Sequence, residues 1–243
     1  MNVQQQIKHD LACAYYLLAQ QKMDDQTYTH LSARIPGEDA YYIFQLGHFF
    51  QEVTPDNLLK VSLDGEILEG PSTALYNQTA YVIHGSIYKS RPDLNAIFHL
   101  HSIAGVAVSS MKCGLLPISQ FALHFYNRLS CYNYDALALD INRQGHSLST
   151  ALGLANKACL LTNHGTLTCG TTIAEAYLQT QFLEKACRTQ IAALNVGIDQ
   201  LHIPSAHVCE QAYNDMCNFE SNLGARDFTA AKRNTRFPWI HSG

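Results

Sequence analysis

The sequence predicts one α/β domain built on a mixed sheet, and three observations predict it. Segments of alternating hydrophobicity interleave with segments whose apolar residues recur at helical spacing. A hairpin signature, Asp64-Gly65, separates two alternating runs. No linker or internal repeat divides the 243 residues. The composition, 47% hydrophobic and 15% charged, excludes disorder, collagen-like structure and coiled coil. Sixteen basic against 20 acidic residues give no electrostatic footprint for nucleic acid or an anionic membrane. No apolar run approaches the roughly 18 residues of a membrane span. The opening MNVQQQIKHD lacks a signal-peptide core, so a cytoplasmic location is expected.

Taken in order, Ile7, Leu11, Ala14, Tyr15 and Leu18 predict an opening amphipathic helix. TYTHLSARIPG reads as a short strand ended by Pro36-Gly37, and AYYIFQLGHFF as a second strand with a turn at Gly47. LLKVSLDGEILEG is a hairpin whose Asp-Gly turn suits positive φ at both central residues. Pro71-Ser72 is expected to open a helix that closes before Pro92, because the residue preceding proline avoids helical geometry. LNAIFHLHS is a strand, with AGVAVSSM either its extension or a helix start. Gly114 and Pro117 break the chain before LPISQFALHFY. ALALDI reads as a strand, Ser147 to about Lys157 as a helix, and KACLLTNHGTLTCG as two strands around an Asn-His-Gly corner. A long helix follows from Thr172 to about Asn195, then one more after His202 and a tail.

Eight cysteines without a CxxC pair read as reduced thiols, several of them buried, in a reducing compartment. The twelve histidines are more informative. His99 and His101 lie two apart on a strand, so their rings project to one face and can share an ion. His164, at the strand corner where Gly165 lets the backbone bend, is the third candidate. Three neutral imidazoles with an open fourth position suit a catalytic Zn²⁺ or a similar divalent ion. An H-x-H pair is also compatible with simple solvation or hydrogen bonding, so spacing alone leaves both readings open. The remaining histidines, among them His9, His30, His124, His146, His202, His207 and His241, are expected on spacing alone to be surface groups or satisfied core groups.

HGSIYKSRPDLNAIFHLHS, followed at a distance by TNHGTLTCG, resembles the class II aldolase/adducin family. The resemblance extends through HDLACAYYLLA, THLSARIPG and VTPDNLLKVSLDGEILEG, and NQTAYVIHGSIYKSRPD and AGVAVSSMKCGLLPISQ are most similar to the adducin branch, head domain only. It implies a three-layer α/β/α domain over 1–243 with a central mixed, largely antiparallel sheet. The expected core is about 7–200, with a C-terminal helix and tail at 203–243. It also implies a homo-oligomer, a tetramer in several members, with sites at subunit boundaries. By the same resemblance a divalent metal, Zn²⁺ in the aldolases, is held by His99, His101 and His164 and grips the oxygens of a small carbonyl substrate.

The chain departs from the aldolase pattern at several places. The resemblance puts a proton-shuttling glutamate one turn ahead of His84, and Ala80 stands there; its methyl cannot transfer a proton. Thr29-His30 replaces a glycine–asparagine pair of the phosphate site, and Gln78-Thr79 replaces a serine pair. Phe121 falls where some aldolases place a catalytic tyrosine. On one helical face, Asn77, Ala80, His84 and Ile87 would lie together. That makes His84 a candidate substitute acid/base, with His30 and Asn77 as candidate substrate contacts; a helix-packing role for His84 is the competing reading.

The expected function is therefore a divergent metal-dependent carbon–carbon lyase, performing aldol cleavage or decarboxylation on a non-phosphorylated hydroxy- or oxo-compound. The alternative is a non-catalytic oligomerisation or binding module like the adducin head. Actin association is not expected, since the neck and basic tail of adducin have no counterpart in the sequence. What fills the space beside Ala80 separates the two: a carboxylate from elsewhere, such as Glu52 or Glu184, favours catalysis, and an apolar plug favours the module.

Overall fold

A computed structural model describes residues 1–239; of the expected domain, positions 240–243, including His241, lie outside the described residues. Helix α1 (Val3–Gln20) is opened by a reciprocal cap between Asn2 and Gln5 and buries Leu11, Ala14, Tyr15 and Leu18. Strands β1 (His30–Arg34), β2 (Ala40–Ile43), β3 (Leu59–Ser62) and β4 (Ile67–Glu69) follow as an antiparallel meander. The β3–β4 turn differs from expectation, because only Gly65 has positive φ, at 93°. A register shift between Lys60 and Val61 absorbs the difference.

Helix α2 runs over 78–90 with a π-turn at Tyr81–Gly85. It begins at Gln78 rather than Pro71, since Asn77 is the residue whose side chain caps a free N–H, that of Thr79. Strand β5 (Ala96–Leu100) leads into α3 (Ile103–Ser109), capped by Ser102, so AGVAVSSM is a helix. After α4 (Gln120–Leu123) comes β6 (Leu129–Tyr132), where no strand was expected. The predicted strand ALALDI is instead a loop with Leu137 and Leu139 exposed and Ala136 at φ 58°. Its apolar residues mimic a strand, but only Ala138 packs against the core and no described strand pairs with the segment. Helix α5 (141–152), again with a π-turn at its start, precedes β7 (Ala158–Leu161) and β8 (Gly165–Gly170). Helices α6 (Ile173–Ala193), α7 (Ala206–Phe219) and α8 (Ala225–Arg233) complete the order, the last falling in what read as a tail.

The eight strands form one sheet in the order β4-β3-β2-β1-β5-β8-β7-β6, antiparallel throughout except β6–β7. Helices cover both sides of it, α1, α3 and α6 on one and α2 and α5 on the other, which gives the expected three-layer domain. Among the described residues no helix is long and apolar enough to cross a membrane. Two features of the core position the site. The buried Tyr15 hydroxyl donates to the Leu31 carbonyl at 2.5 Å and accepts from its N–H at 2.9 Å, pinning β1 to α1. Register then sets His30 on β1 directly opposite His99 on β5.

Candidate metal centre

His99 lies near the end of β5 and His101 just past it, on either side of Leu100, and their Nε2 atoms meet at 3.0 Å. His164 joins them from the turn before β8. That corner is made by Asn163 in the left-handed region, φ 57°, rather than by Gly165. Gly165 serves a different need: a Cβ there would overlap the Leu100 carbonyl, and only glycine lets the corner close on β5. Ligand nitrogens of His99, His101 and His164 all lie within 4.8 Å of one another.

Hydrogen bonding fixes which nitrogens face inward. His99 Nδ1 lies 3.1 Å from the Thr166 carbonyl, which can only accept, so Nδ1 carries the proton. His101 Nδ1 donates in the same way to the Asp25 carboxylate at 2.9 Å. Both Nε2 atoms face each other at 3.0 Å. With a neutral His101 both are lone pairs, which repel at that distance unless a cation lies between them. Nitrogens sharing a tetrahedral Zn²⁺ at roughly 2.0–2.1 Å stand about 3.4 Å apart, close to this separation. Burial, with neighbouring imidazoles, pushes His99 well below its ordinary pKa, and burial followed by the adjacent His101 lowers His164 to about 4. His99 and His164 are therefore neutral, the ligand form. A divalent ion fits this donor set.

Asp25 is the contributor that sequence reasoning missed. It stands 76 positions from His101 with no pattern linking the two. The only available signal was its place just ahead of the strand that carries His30. A bonded carboxylate behind a ligating imidazole both orients the ring and raises its basicity.

His30 and His84 form a second, buried histidine pair. His30 Nδ1 is 2.8 Å from His84 Nε2, and the His30 ring centroid is 5.0 Å from that of His99. Counting donors assigns the protons. The Thr79 hydroxyl gives its one proton to Asn77 Oδ1 at 2.8 Å, so His30 Nε2–H is the donor in its 3.3 Å contact with Thr79. His30 Nδ1 must then accept from His84 Nε2–H. His84 Nδ1 accepts from the Ser32 hydroxyl, and Ser32 accepts from the Tyr88 hydroxyl at 2.8 Å. The result is a directional chain from Tyr88 through Ser32, His84 and His30 to Thr79 and Asn77. Desolvation first, and neighbouring imidazoles second, hold both histidines well below the ordinary value and so neutral.

Of the candidates read from sequence, then, His99, His101 and His164 come together, His30 lies against them, and His84 lies behind His30. Asn77 sits at the N-cap of α2, its carbonyl oxygen accepting from Thr79 and its amide donating to the Tyr28 carbonyl. Neither anticipated occupant stands beside Ala80. Glu52 caps its own short helix through Phe49 N–H, and Glu184 is bonded to Ser102 at 2.5 Å and Arg188 at 2.6 Å. Ala80 itself is fully buried within the apolar core, the surrounding that favours the module. Beside His164 lies a narrow cleft of about 20 Å³ lined by Val82, Ile83, Tyr132 and Leu161.

Comparison with known proteins shows the family and the fold. Residues 9–191 match the family described as Class II Aldolase and Adducin N-terminal domain. A Caulobacter vibrioides protein, named only provisionally as a class 2 aldolase, is 39% identical over 81% of this chain and 76% of its own length. Human gamma-adducin is 38% identical over 72% of this chain, which spans only 25% of that longer protein. An aldolase II superfamily protein from Pseudomonas syringae superposes with a TM-score of 0.90 at 37% identity, covering 96% of this chain and 93% of its own. An L-fuculose 1-phosphate aldolase from Glaciozyma antarctica does so at 0.84 and 26% identity, over 95% and 88%.

Proposed function

The chain belongs to the class II aldolase and adducin family, and on that premise we propose that it is a divergent metal-dependent lyase. Its reaction opens a carbon–carbon bond in a small carbonyl compound, by aldol cleavage or decarboxylation. The single observation that carries this reading is the convergence of His99, His101 and His164 within 4.8 Å, with Nδ1 of His99 and of His101 committed to Thr166 and Asp25. His99, His101 and His164 would hold a divalent ion, most readily Zn²⁺. Bound there, it supplies Lewis acidity that favours negative charge on a substrate oxygen.

The protein's own residues provide the rest. His30, neutral and held by His84, presents Nε2–H on the side of the metal centre, and its 3.3 Å bond to Thr79 is long enough to be exchanged for a substrate oxygen. A neutral imidazole donor is a suitable electrophile beside a developing oxyanion. Relaying a proton backward along the chain would leave a tyrosinate at Tyr88, whose burial pushes its pKa far above the ordinary value. His84 therefore acts by fixing the polarity of His30, and Asn77 by fixing that of Thr79. The replacement of glycine by Thr29 and of asparagine by His30 favours a substrate without phosphate.

On the same family premise the chain forms a homo-oligomer, a tetramer, that light scattering would size. Its eight unpaired thiols fit a reducing compartment such as the cytoplasm. The deciding experiment purifies the chain, measures bound metal, and screens hydroxy- and oxo-acids for turnover lost to a chelator and restored by Zn²⁺. A preparation that takes up no metal, while remaining oligomeric, overturns the lyase and favours the adducin-head-like binding module. The absent carboxylate at Ala80 and the likeness to gamma-adducin are what support that second reading.

A further inference from the structure

Glu184, one of the two carboxylates sought beside Ala80, stands instead behind the metal centre. It lies on α6 and is buried there, where a carboxylate persists only with partners. Its two oxygens are divided between two of them. Oε2 accepts the Ser102 hydroxyl at 2.5 Å, and Oε1 accepts from Arg188 at 2.6 Å. Ser102 directly follows His101 in the chain and is buried as well. Its one hydroxyl proton goes to Glu184, and its oxygen accepts the Gly105 N–H at 3.2 Å, which caps the first turn of α3.

That turn sits against the strand that orients the other ligand. A Cβ on Gly105 would stand 2.8 Å from Ser102 Oγ and 2.8 Å from Thr166 Cγ2, so only a residue without a side chain lets the turn close on Thr166. Thr166 is the residue whose carbonyl accepts from His99 Nδ1. One buried carboxylate therefore backs both members of the H-x-H pair. Through Ser102 it holds the chain at His101, and through the seat of α3 it holds Thr166 behind His99. The i,i+4 pair with Arg188, whose side chain is 62% exposed, offsets little of the cost of burying a carboxylate. The bond to Ser102 is what accounts for its place.

We infer that Glu184 is a positioning residue for the metal centre. It touches neither ion nor substrate and acts by fixing Ser102, and with it the approach of His101 to His99. The inference rests on the metal-binding reading of His99, His101 and His164, and not on any lyase activity.

The test titrates Zn²⁺ into the metal-stripped full chain against a chromophoric chelator, and records the visible bands of bound Co²⁺ as a report on ligand geometry. Glu184→Met keeps the side-chain length and removes the acceptor. It is expected to weaken Zn²⁺ about fivefold, less than the roughly 10- to 100-fold typical of a partner bonded to the ligating ring itself, and to shift the Co²⁺ bands. Glu184→Gln retains an oxygen for the Ser102 hydroxyl and should bring both readouts back to within about twofold of wild type. Arg188→Gln breaks the other bond of the same carboxylate and should change neither. Ser102→Ala carries the same test should Glu184→Met not fold, and the two combined should bind Zn²⁺ no more weakly than either alone, since both remove one bond. A lower melting temperature with Zn²⁺ affinity and Co²⁺ bands as in wild type makes Glu184 a packing residue and overturns the inference. So does an Arg188→Gln variant that weakens Zn²⁺ as much as Glu184→Met. A wild-type chain that binds neither ion is a different failure, which overturns the metal centre and the inference with it.

Discussion

Replacing Asp25 should loosen the metal without unfolding the protein. The carboxylate accepts one 2.9 Å charge-assisted hydrogen bond from His101 Nδ1. Losing such a partner behind a ligating histidine typically costs 10- to 100-fold in metal affinity, about 1.4–2.7 kcal/mol. The structure selects the lower end. Asp25 is 39% and His101 22% exposed at the side chain, so water competes for the bond and can replace it. Only one of three ligands is affected, because His99 is oriented by the Thr166 carbonyl and not by Asp25. Asp25→Ala should therefore weaken Zn²⁺ binding about tenfold, and Asp25→Asn less, since the amide oxygen still accepts from Nδ1. Competition against a chromophoric chelator, starting from metal-stripped protein, measures both. Metal affinity unchanged within a factor of two in Asp25→Ala would refute the argument that this carboxylate fixes the His101 tautomer.

Ser32→Ala strands the buried His84 Nδ1 without a donor and should cost about 1–3 kcal/mol, read as a fall in Tm of roughly 2–4 °C per kcal/mol. Gly165→Ala drives a methyl into the Leu100 carbonyl; about 1–3 kcal/mol of lost stability and weaker metal uptake are expected, because Leu100 separates two of the ligands. Alkylation of the native chain should label Cys113, Cys131 and Cys217, with the five buried thiols reacting only in denaturant, by mass spectrometry. Burial pushes Cys13, Cys169 and Cys187 up to about 12. The folded chain keeps protons that the unfolded chain releases above about pH 9, so stability contributed by these thiols is complete below that pH and is lost as pH rises toward 12. Denaturant midpoints measured from pH 8 to 10.5 should fall accordingly.

What the sequence displayed and what it concealed divide along the range of the interactions involved. His99 and His101 were legible because a period of two is a local property of one strand. The end of α2 before Pro92 and the strands around the Asn-His-Gly corner were legible for the same reason. The start of α2 was misplaced because a proline is a permissive sign, whereas the Asn77 cap is a specific bond. Asp25, His84 behind His30, and His124, bonded to Gln179 with its buried Nδ1 left unpaired, depend on partners 76, 54 and 55 positions away, and no spacing rule reaches that far. The helical-face argument put Asn77, Ala80 and His84 in line, but the π-turn at Tyr81–Gly85 widens the helix within that stretch, and Asn77 precedes its first turn. The loop at 133–140 shows the opposite failure, a strand-like pattern with no neighbouring strand to pair it.

The π-turn in α2 contains His84 and abuts the matching π-turn of α5, where Ser86 leaves no room for a side chain on Gly145. A π-turn amounts to one surplus residue in an otherwise ordinary helix. Deleting a single residue from 81–85 would let the segment relax into regular winding and redirect the side chains on either side of it. Everything ahead of the deletion would swing about 100° relative to everything behind it. Thr79 and Tyr88 could then no longer address the same pair of imidazoles. A one-codon shortening of this helix would thus break the directed run of hydrogen bonds, while His99, His101 and His164 belong to other segments of the chain.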